Sequence, residues 1–275
     1  MASYDSFITS GGISLRTART YRLFAAVGLA LAGFAALAIS GWAASIYEPG
    51  SKGFDVSFPQ CGSRLPRDGD FAIVGVNSGL PWSSNPCVKT QYQWASTKDT
   101  PAGFYTNTAN PGPPSPYWNR PGPRACTDLQ SYDDTACSYN YGWNAAEQSF
   151  SVAVAASSTS AATQAFWWLD VETMNSWEST TRANAATIQG YIDYFRSKGV
   201  SNVGIYSTPH QWSIITGGYR LNDVPNWVAG ASSERTARSN CQSSFSGGEV
   251  LLSQYGGKSY GKNLACGTAT RRSFD

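Results

Sequence analysis

Short apolar runs separated by turn residues recur from residue 53 onward. Some of them, such as FAIVGV at 71–76 and FWWLDV at 166–171, are apolar at successive positions and therefore on both faces of a strand. Strands of this kind are typical of parallel sheets that are covered on both sides. The pattern predicts seven strands, at residues 53–58, 71–77, 102–108, 166–173, 202–207, 226–230 and 250–255.

Helical spacing of apolar residues occurs between these strands. The clearest case is 181–198, and Gly199 follows it at the position where a left-handed C-terminal cap is expected. Weaker patterns predict helices at 88–96 and 141–156. Because strands alternate with helices, we predict an α/β fold, specifically an irregular (β/α) TIM-like barrel.

A different pattern comes before the first strand. The 22 residues from 23 to 44 carry no charge, and a helix needs about 20 apolar residues to span a bilayer. Because three arginines precede this run, we predict a cytoplasmic segment at 1–22, a transmembrane anchor at 23–46 and an exported barrel domain at 47–275. Alternatives are a cleaved signal peptide, since residues 43–45 are small, and a buried core helix.

The cysteines agree with an extracytoplasmic location, because all six follow the apolar run. Six cysteines allow 15 pairings, of which we expect the sequential one in an oxidising compartment. The expected disulfides are Cys61–Cys87, Cys126–Cys137 and Cys241–Cys266. A metal site is the alternative, but the chain has no Cys-x-x-Cys and a single histidine, His210, so we expect no metal and no cofactor.

Charge disfavours nucleic acid as a partner. The formal net charge is +2, and residues 1–46 account for all of it, so the predicted exported domain is neutral overall. A nucleic-acid-binding domain usually presents a basic face or stripe, and no such run occurs. We expect a monomer whose contact with the membrane is made through the N-terminal helix.

Two carboxylates end the strand predicted at 166–173. Side chains alternate in a strand, so Asp170 and Glu172 are expected to point the same way, into the mouth of a barrel. Two adjacent carboxylates repel each other when both are ionised, so the pKa of one of them is expected to be raised. Glycoside hydrolysis requires such a protonated acid beside an ionised carboxylate. Asp55, in GFDVS, could join them. Alternatively, Asp170 and Glu172 form a solvated strand end and Asp55 caps a turn.

Several segments together resemble glycoside hydrolase family 25, and more closely the lysozyme-like, DUF1906-type bacterial domains. They are GFDVS, GFYTNTANPG, WWLDVET, GIYSTPHQW, NWVAGAS and LLSQYGG, within residues 53–266. The resemblance implies an irregular barrel that cleaves peptidoglycan between N-acetylmuramic acid and N-acetylglucosamine. It also implies that Glu172 is the general acid and that Asp170 is the nucleophile or steadies a substrate-assisted intermediate. Asp55 would orient the site.

Polar and aromatic side chains near the strand ends are expected to contact the sugar, because aromatic rings stack on its apolar faces. The candidates are Tyr105, Trp168, Tyr206, Trp227, Gln254 and Asn263. Core packing is the alternative for about half of the aromatic residues. The proline-rich segment 109–125 follows the third strand and is expected at the catalytic face, or else is an insertion without a role.

One position departs from the family pattern. Asn263 stands where related sequences carry an acid, and an amide holds a hydrogen bond but no charge. The departure motivates a second hypothesis, a non-catalytic module that binds cell-wall glycan on a degenerate barrel. A structural envelope protein is a third.

Overall fold

The computed structural model describes residues 46–257 and 259–267. Eight strands close into a barrel in the order of the chain. They are β1 Lys52–Val56, β2 Phe71–Gly75, β3 Gly103–Asn107, β4 Trp167–Asp170, β5 Val203–Ser207, β6 Asn226–Ala231, β7 Val250–Tyr255 and β8 Gly261–Ala265. Strands β1 to β7 are parallel, whereas β8 pairs antiparallel with both β7 and β1 and closes the barrel. The predicted irregular TIM-like barrel is confirmed.

All seven predicted strands are present, and the eighth was missed. The sequence of β8, GKNLA, begins with glycine, lysine and asparagine, which are poor strand formers. Tertiary pairing with two neighbouring strands makes it a strand, since β8 closes the ladder on both sides. Local pattern cannot reveal such a strand.

Within the described residues, six α-helices and one 3-10 turn lie between the strands. They are α1 Val88–Ala95, α2 Thr135–Ala156, α3 Thr159–Gln164, α4 Thr181–Ser197, α5 Pro209–Thr216, α6 Glu234–Asn240 and the 3-10 turn Phe58–Gln60. The three predicted helices are confirmed, and Gly199 has the expected positive φ of 81°. Helix α2 begins six residues earlier than predicted, because the Asp134 side chain accepts from the backbone N–H groups of Ala136 and Cys137.

Alternating side chains fill the barrel in layers. Phe71, Ile73 and Trp168 point inward and form a core with Trp227 and Leu252. The residues between them on the strands face the helices and belong to the outer core. Asp170, at the next inward position after Trp168, therefore lies above this inner core, at the carboxyl end of the parallel strands.

The three expected disulfides are confirmed. Cys61–Cys87 joins the segment after β1 to the start of α1, and Cys126–Cys137 links the end of the proline-rich segment to α2. Cys241–Cys266 joins the end of α6 to the residue after β8. Disulfides persist in oxidising compartments, so the barrel domain is suited to work outside the cytoplasm.

The predicted membrane segment lies almost wholly outside the described residues. Within 46–257 and 259–267, none of the helices has both the length and the apolar character to cross a bilayer. The division into segments 1–22, 23–46 and 47–275 stays a prediction.

Candidate active site

Three carboxylates meet at the carboxyl end of the parallel strands. Asp55 comes from β1 and Asp170 ends β4, while Glu172 follows two residues later, and all three line one cleft of about 120 Å³. The remaining lining residues are Tyr105, Tyr206, Trp227 and Gln254. The structure thus brings together the three predicted acids and four of the six predicted contact residues.

Amide donors hold the Asp55 carboxylate. Gln254 Nε2 and Asn263 Nδ2 both donate to Asp55 Oδ2, at 3.0 and 2.8 Å. The Tyr206 hydroxyl donates to Gln254 Oε1 at 2.7 Å and so orients this amide. Burial raises the pKa of Asp55, and the two amide donors act in the opposite direction. Asp55 is therefore fixed in orientation by groups that favour its charged form.

Asp170 is buried, with 6% of its surface exposed. Asn107 Nδ2 donates to its Oδ2, and Thr108 Oγ1 donates to its backbone carbonyl at 2.7 Å. Burial raises the pKa of Asp170 well above its usual value. The negative charge of Glu172, a side-chain hydrogen bond with Glu172 and the negative charge of Asp55 raise this pKa further. The raised pKa of Asp170 therefore favours its protonated form beside Glu172.

Glu172 lies beyond the end of β4, at the mouth of the cleft. Trp177 Nε1 donates to the Glu172 carbonyl at 2.8 Å, and the N–H of Thr173 donates to Gln211 Oε1 at 2.7 Å. These contacts fix the backbone on the carboxyl side of β4. The Glu172 side chain is partly exposed, so of the two paired carboxyl groups it is the one that solvent or a ligand reaches first.

The two tyrosines of the cleft are hydrogen-bond donors. Burial and the neighbouring carboxylates raise the pKa of Tyr105 and of Tyr206 well above the usual value for a phenol. Both hydroxyls therefore stay protonated across the physiological range. The cleft combines acidic groups with neutral donors, which is suited to hydroxyl and acetamido groups.

Two predicted contact residues lie elsewhere. Trp168 is fully buried, stacks on Phe166 with ring centroids 4.3 Å apart, and donates through Nε1 to the Tyr47 hydroxyl at 3.2 Å. Asn263 is also fully buried, and its Oδ1 accepts from Trp227 Nε1 at 2.9 Å. The structure therefore does not bring these two predicted residues to the surface of the cleft: Trp168 lies beneath it, and Asn263 positions Asp55 and Trp227 from behind.

Sequence reasoning missed Asn107, which donates to Asp170. Its signal was available, because Asn107 is the penultimate residue of the predicted third strand and pairs in register with Asp170 on the next strand. Tyr47, under Trp168, was also missed. It precedes the first strand and carries no pattern that places it in the barrel.

Comparison with known proteins agrees with this architecture. A family model described as Lysozyme-like protein 1 matches residues 135–246. The chain is 36% identical over 66 residues to "Probable GH family 25 lysozyme 5" from Dictyostelium discoideum. That match covers 23% of this chain and spans 31% of the relative's length.

Solved structures of similar fold extend over most of the chain. The catalytic domain of a Listeria monocytogenes bacteriophage endolysin aligns with a TM-score of 0.52 and 16% identity, covering 81% of this chain and 95% of the other. A bacterial lysozyme from Streptomyces coelicolor aligns with a TM-score of 0.50 and 18% identity, covering 82% and 96%. At such identities the likeness establishes the fold. The resemblance predicted from the sequence is therefore confirmed: the chain is similar to lysozyme-like proteins and has the fold of solved lysozymes.

Proposed function

We propose that this protein hydrolyses glycosidic bonds of a cell-wall glycan, in the manner of a muramidase. The observation that carries the proposal is the convergence of Asp55, Asp170 and Glu172 in one cleft with two protonated tyrosines and a tryptophan. The relatives described as lysozymes support peptidoglycan as the polymer. The chemistry needs only carboxyl groups, one protonated and one ionised, on either side of the scissile bond.

The positions of the carboxyl groups suggest their roles. Glu172 contacts Asp170 and lies at the mouth, where a leaving oxygen would reach it. We assign Glu172 as the general acid that delivers a proton to the glycosidic oxygen, because a proton held on Asp170 can pass to Glu172 across their contact. As the bond between C1 and the glycosidic oxygen breaks, the leaving sugar takes this proton, and the negative charge of the pair faces the positive charge that develops on the sugar ring. A water molecule then bonds to C1 and gives up a proton to the pair, which completes the hydrolysis. Asp55, held by its amide donors, orients the substrate.

The size of the cleft supports a polymeric substrate. A volume of about 120 Å³ is below the roughly 300–1,000 Å³ of sites that enclose small ligands. The cleft therefore receives part of one sugar, and the rest of a chain lies along the rim. Exposed large apolar side chains occur in the segments that follow β1 to β4, namely Phe58, Leu80, Leu129, Tyr132 and Met174.

The decisive experiment compares wild type with Glu172→Gln on purified cell walls, measured by loss of turbidity and by release of reducing ends. We expect a loss of about 100-fold or more, typical of removing a general acid. Glu178→Gln is the matched control, because Glu178 is close in sequence but outside the cleft, and it should retain wild-type rates. Equal rates for Glu172→Gln and wild type would refute the assignment. Retention on walls without release of reducing ends, even by wild type, would favour the glycan-binding module.

We further propose that the barrel works outside the cytoplasm and is tethered through residues 23–46. The disulfides support export, and the uncharged run supports the tether. In cell fractionation, we expect the full chain in the membrane pellet after carbonate extraction and a variant lacking residues 1–46 in the soluble fraction. If the full-length chain is expressed and the protein is recovered from the culture medium without its N-terminal segment, a signal peptide has been cleaved instead.

A further inference from the structure

A second depression lies at the side of the barrel, and we call it the aromatic groove. Its volume is about 490 Å³, within the range of roughly 300–1,000 Å³ that is typical of small-ligand sites. One wall consists of Trp82, Tyr117 and Arg120, from the segments that follow β2 and β3, and the other belongs to α2. None of its lining residues lines the cleft that holds Asp55, Asp170 and Glu172, which we call the acidic cleft. The aromatic groove is therefore separate from the acidic cleft.

The aromatic wall is held in an unusual conformation. The rings of Trp82 and Tyr117 stack with centroids 4.3 Å apart and planes 8° from parallel, and the Arg120 guanidinium lies 4.8 Å from the Trp82 ring. Trp82 has a φ of +67°, and it is the one non-glycine residue with positive φ in the part of the chain that the structure describes. A bulky residue is strained there, and such strain concentrates at ligand sites.

The opposite wall offers polar groups at helical spacing. Asn144, Gln148 and Ser151 line the groove from α2. Gln148 Nε2 donates to Ser84 Oγ at 3.3 Å, whereas its Oε1 is buried and makes no hydrogen bond within the described chain. A buried acceptor without a partner is unfavourable unless a ligand or water supplies a donor. Gln148 therefore provides an acceptor for a donor group bound in the groove.

Charge narrows the ligand class. Arg120 and Glu147 both line the groove and carry opposite charges, so it does not select a polyanion. Stacked aromatic rings next to amide and hydroxyl groups match a sugar, whose C–H faces are apolar and whose hydroxyls donate.

We propose that the aromatic groove is a second saccharide site, which holds a pyranose unit of the wall glycan outside the acidic cleft. The choice of polymer rests on the proposed function. The existence of the groove, its strained tryptophan and its unpartnered acceptor do not.

The test is calorimetric titration of the full chain in detergent, with Glu172→Gln to prevent hydrolysis. The probe is a soluble tetrasaccharide of alternating N-acetylglucosamine and N-acetylmuramic acid. We expect two binding events, one of which is weakened at least ten-fold by Tyr117→Ala and also by Gln148→Leu. Tyr117→Phe, which keeps the ring, should retain both. Thermal melts identify any variant that fails to fold, and Gln148→Leu, on the face of a helix, remains informative if Tyr117→Ala does not fold.

The outcomes separate the two proposals. A single binding event that Tyr117→Ala and Gln148→Leu leave unchanged would overturn the second site, and it would remain consistent with sugar binding in the cleft. A single event that both changes weaken would support the groove, and would count against the cleft as a sugar site. An isotherm with two events that neither change affects, or no binding of the probe, would overturn the groove.

Discussion

Asn263 decides how the departure from the family pattern is understood. This buried amide donates to Asp55 and accepts from Trp227, so both of its polar ends are used. An ionised carboxylate at the same place could not donate, and it would put a second negative charge beside Asp55. In this chain the amide is therefore the group that fits, and the absence of an acid at 263 does not by itself argue against catalysis.

We predict that Asn263→Asp lowers activity at neutral pH by about ten-fold or more, because the loss of a charge-assisted hydrogen bond and the added repulsion together exceed about 1.4 kcal/mol. The loss should become smaller at acidic pH, where the substituted carboxyl can be protonated and can donate again. The measurement is the release of reducing ends from cell walls as the pH is varied from about 4 to about 8. The exposed Asn119→Asp is the control, and a gain of activity in Asn263→Asp at neutral pH would contradict the argument.

Asp170 also has a cost to stability, and its sign follows from the raised pKa. Folding raises the pKa of Asp170 above that of the unfolded chain, so the cost is absent in acid and grows as pH rises. Asp170→Asn should therefore abolish activity and raise Tm at pH 7 by roughly 2–4 °C, the shift that about 1 kcal/mol produces in a domain of this size.

The gain from Asp170→Asn should fade below the ordinary pKa of an aspartate. Thermal melts of wild type and variant across pH are the measurement, with the exposed Asp68→Asn as the control. A lower Tm for Asp170→Asn at pH 7, or a gain that does not depend on pH, would be inconsistent with a raised pKa at Asp170.

At the scale of elements, helices α2 and α4 pack with their backbones unusually close. A Cβ at Gly142 would lie 2.0 Å from the Thr187 carbonyl oxygen, and one at Gly190 would lie 2.2 Å from the Tyr139 carbonyl oxygen. Both distances are far below van der Waals contact, so neither position can accept a side chain without separating the helices. The pair of helices closes the outer core over β4, which carries Asp170 at its end.

Gly190→Ala should therefore destabilise the fold by about 1–3 kcal/mol, the usual range for overpacking, although alanine is the better helix former. Urea unfolding followed by circular dichroism measures the change. Arg182→Ala, on the exposed side of the same helix, is the control and should change the free energy of unfolding little. An unchanged or higher urea midpoint for Gly190→Ala would show that the helices can separate freely.

The reach of sequence reasoning also differs from element to element. Long periodic segments such as α4 were predicted almost to the residue, since burial of one face sets the pattern. The short helices α3, α5 and α6 and the strand β8 were missed, because tertiary packing and pairing rather than local pattern form them. The convergence of Asp55 with Asp170 and Glu172 was anticipated from strand ends. By contrast, the depth of Trp168 depends on the barrel radius and the layers below the mouth, which no linear pattern encodes.

At the scale of the whole molecule, the antiparallel course of β8 decides where the chain enters and leaves the barrel. The last residues of β8 lie beside the first of β1, with Lys52 opposite Leu264 and the Gly50 N–H donating to the Ala265 carbonyl at 3.0 Å. An eighth parallel strand would instead have released the chain beside the carboxylates. The chain thus enters and leaves the barrel at the amino end of the parallel strands, opposite the carboxylates. A fluorescent fusion or a bead attached through either point therefore leaves the cleft open to long, insoluble polymers.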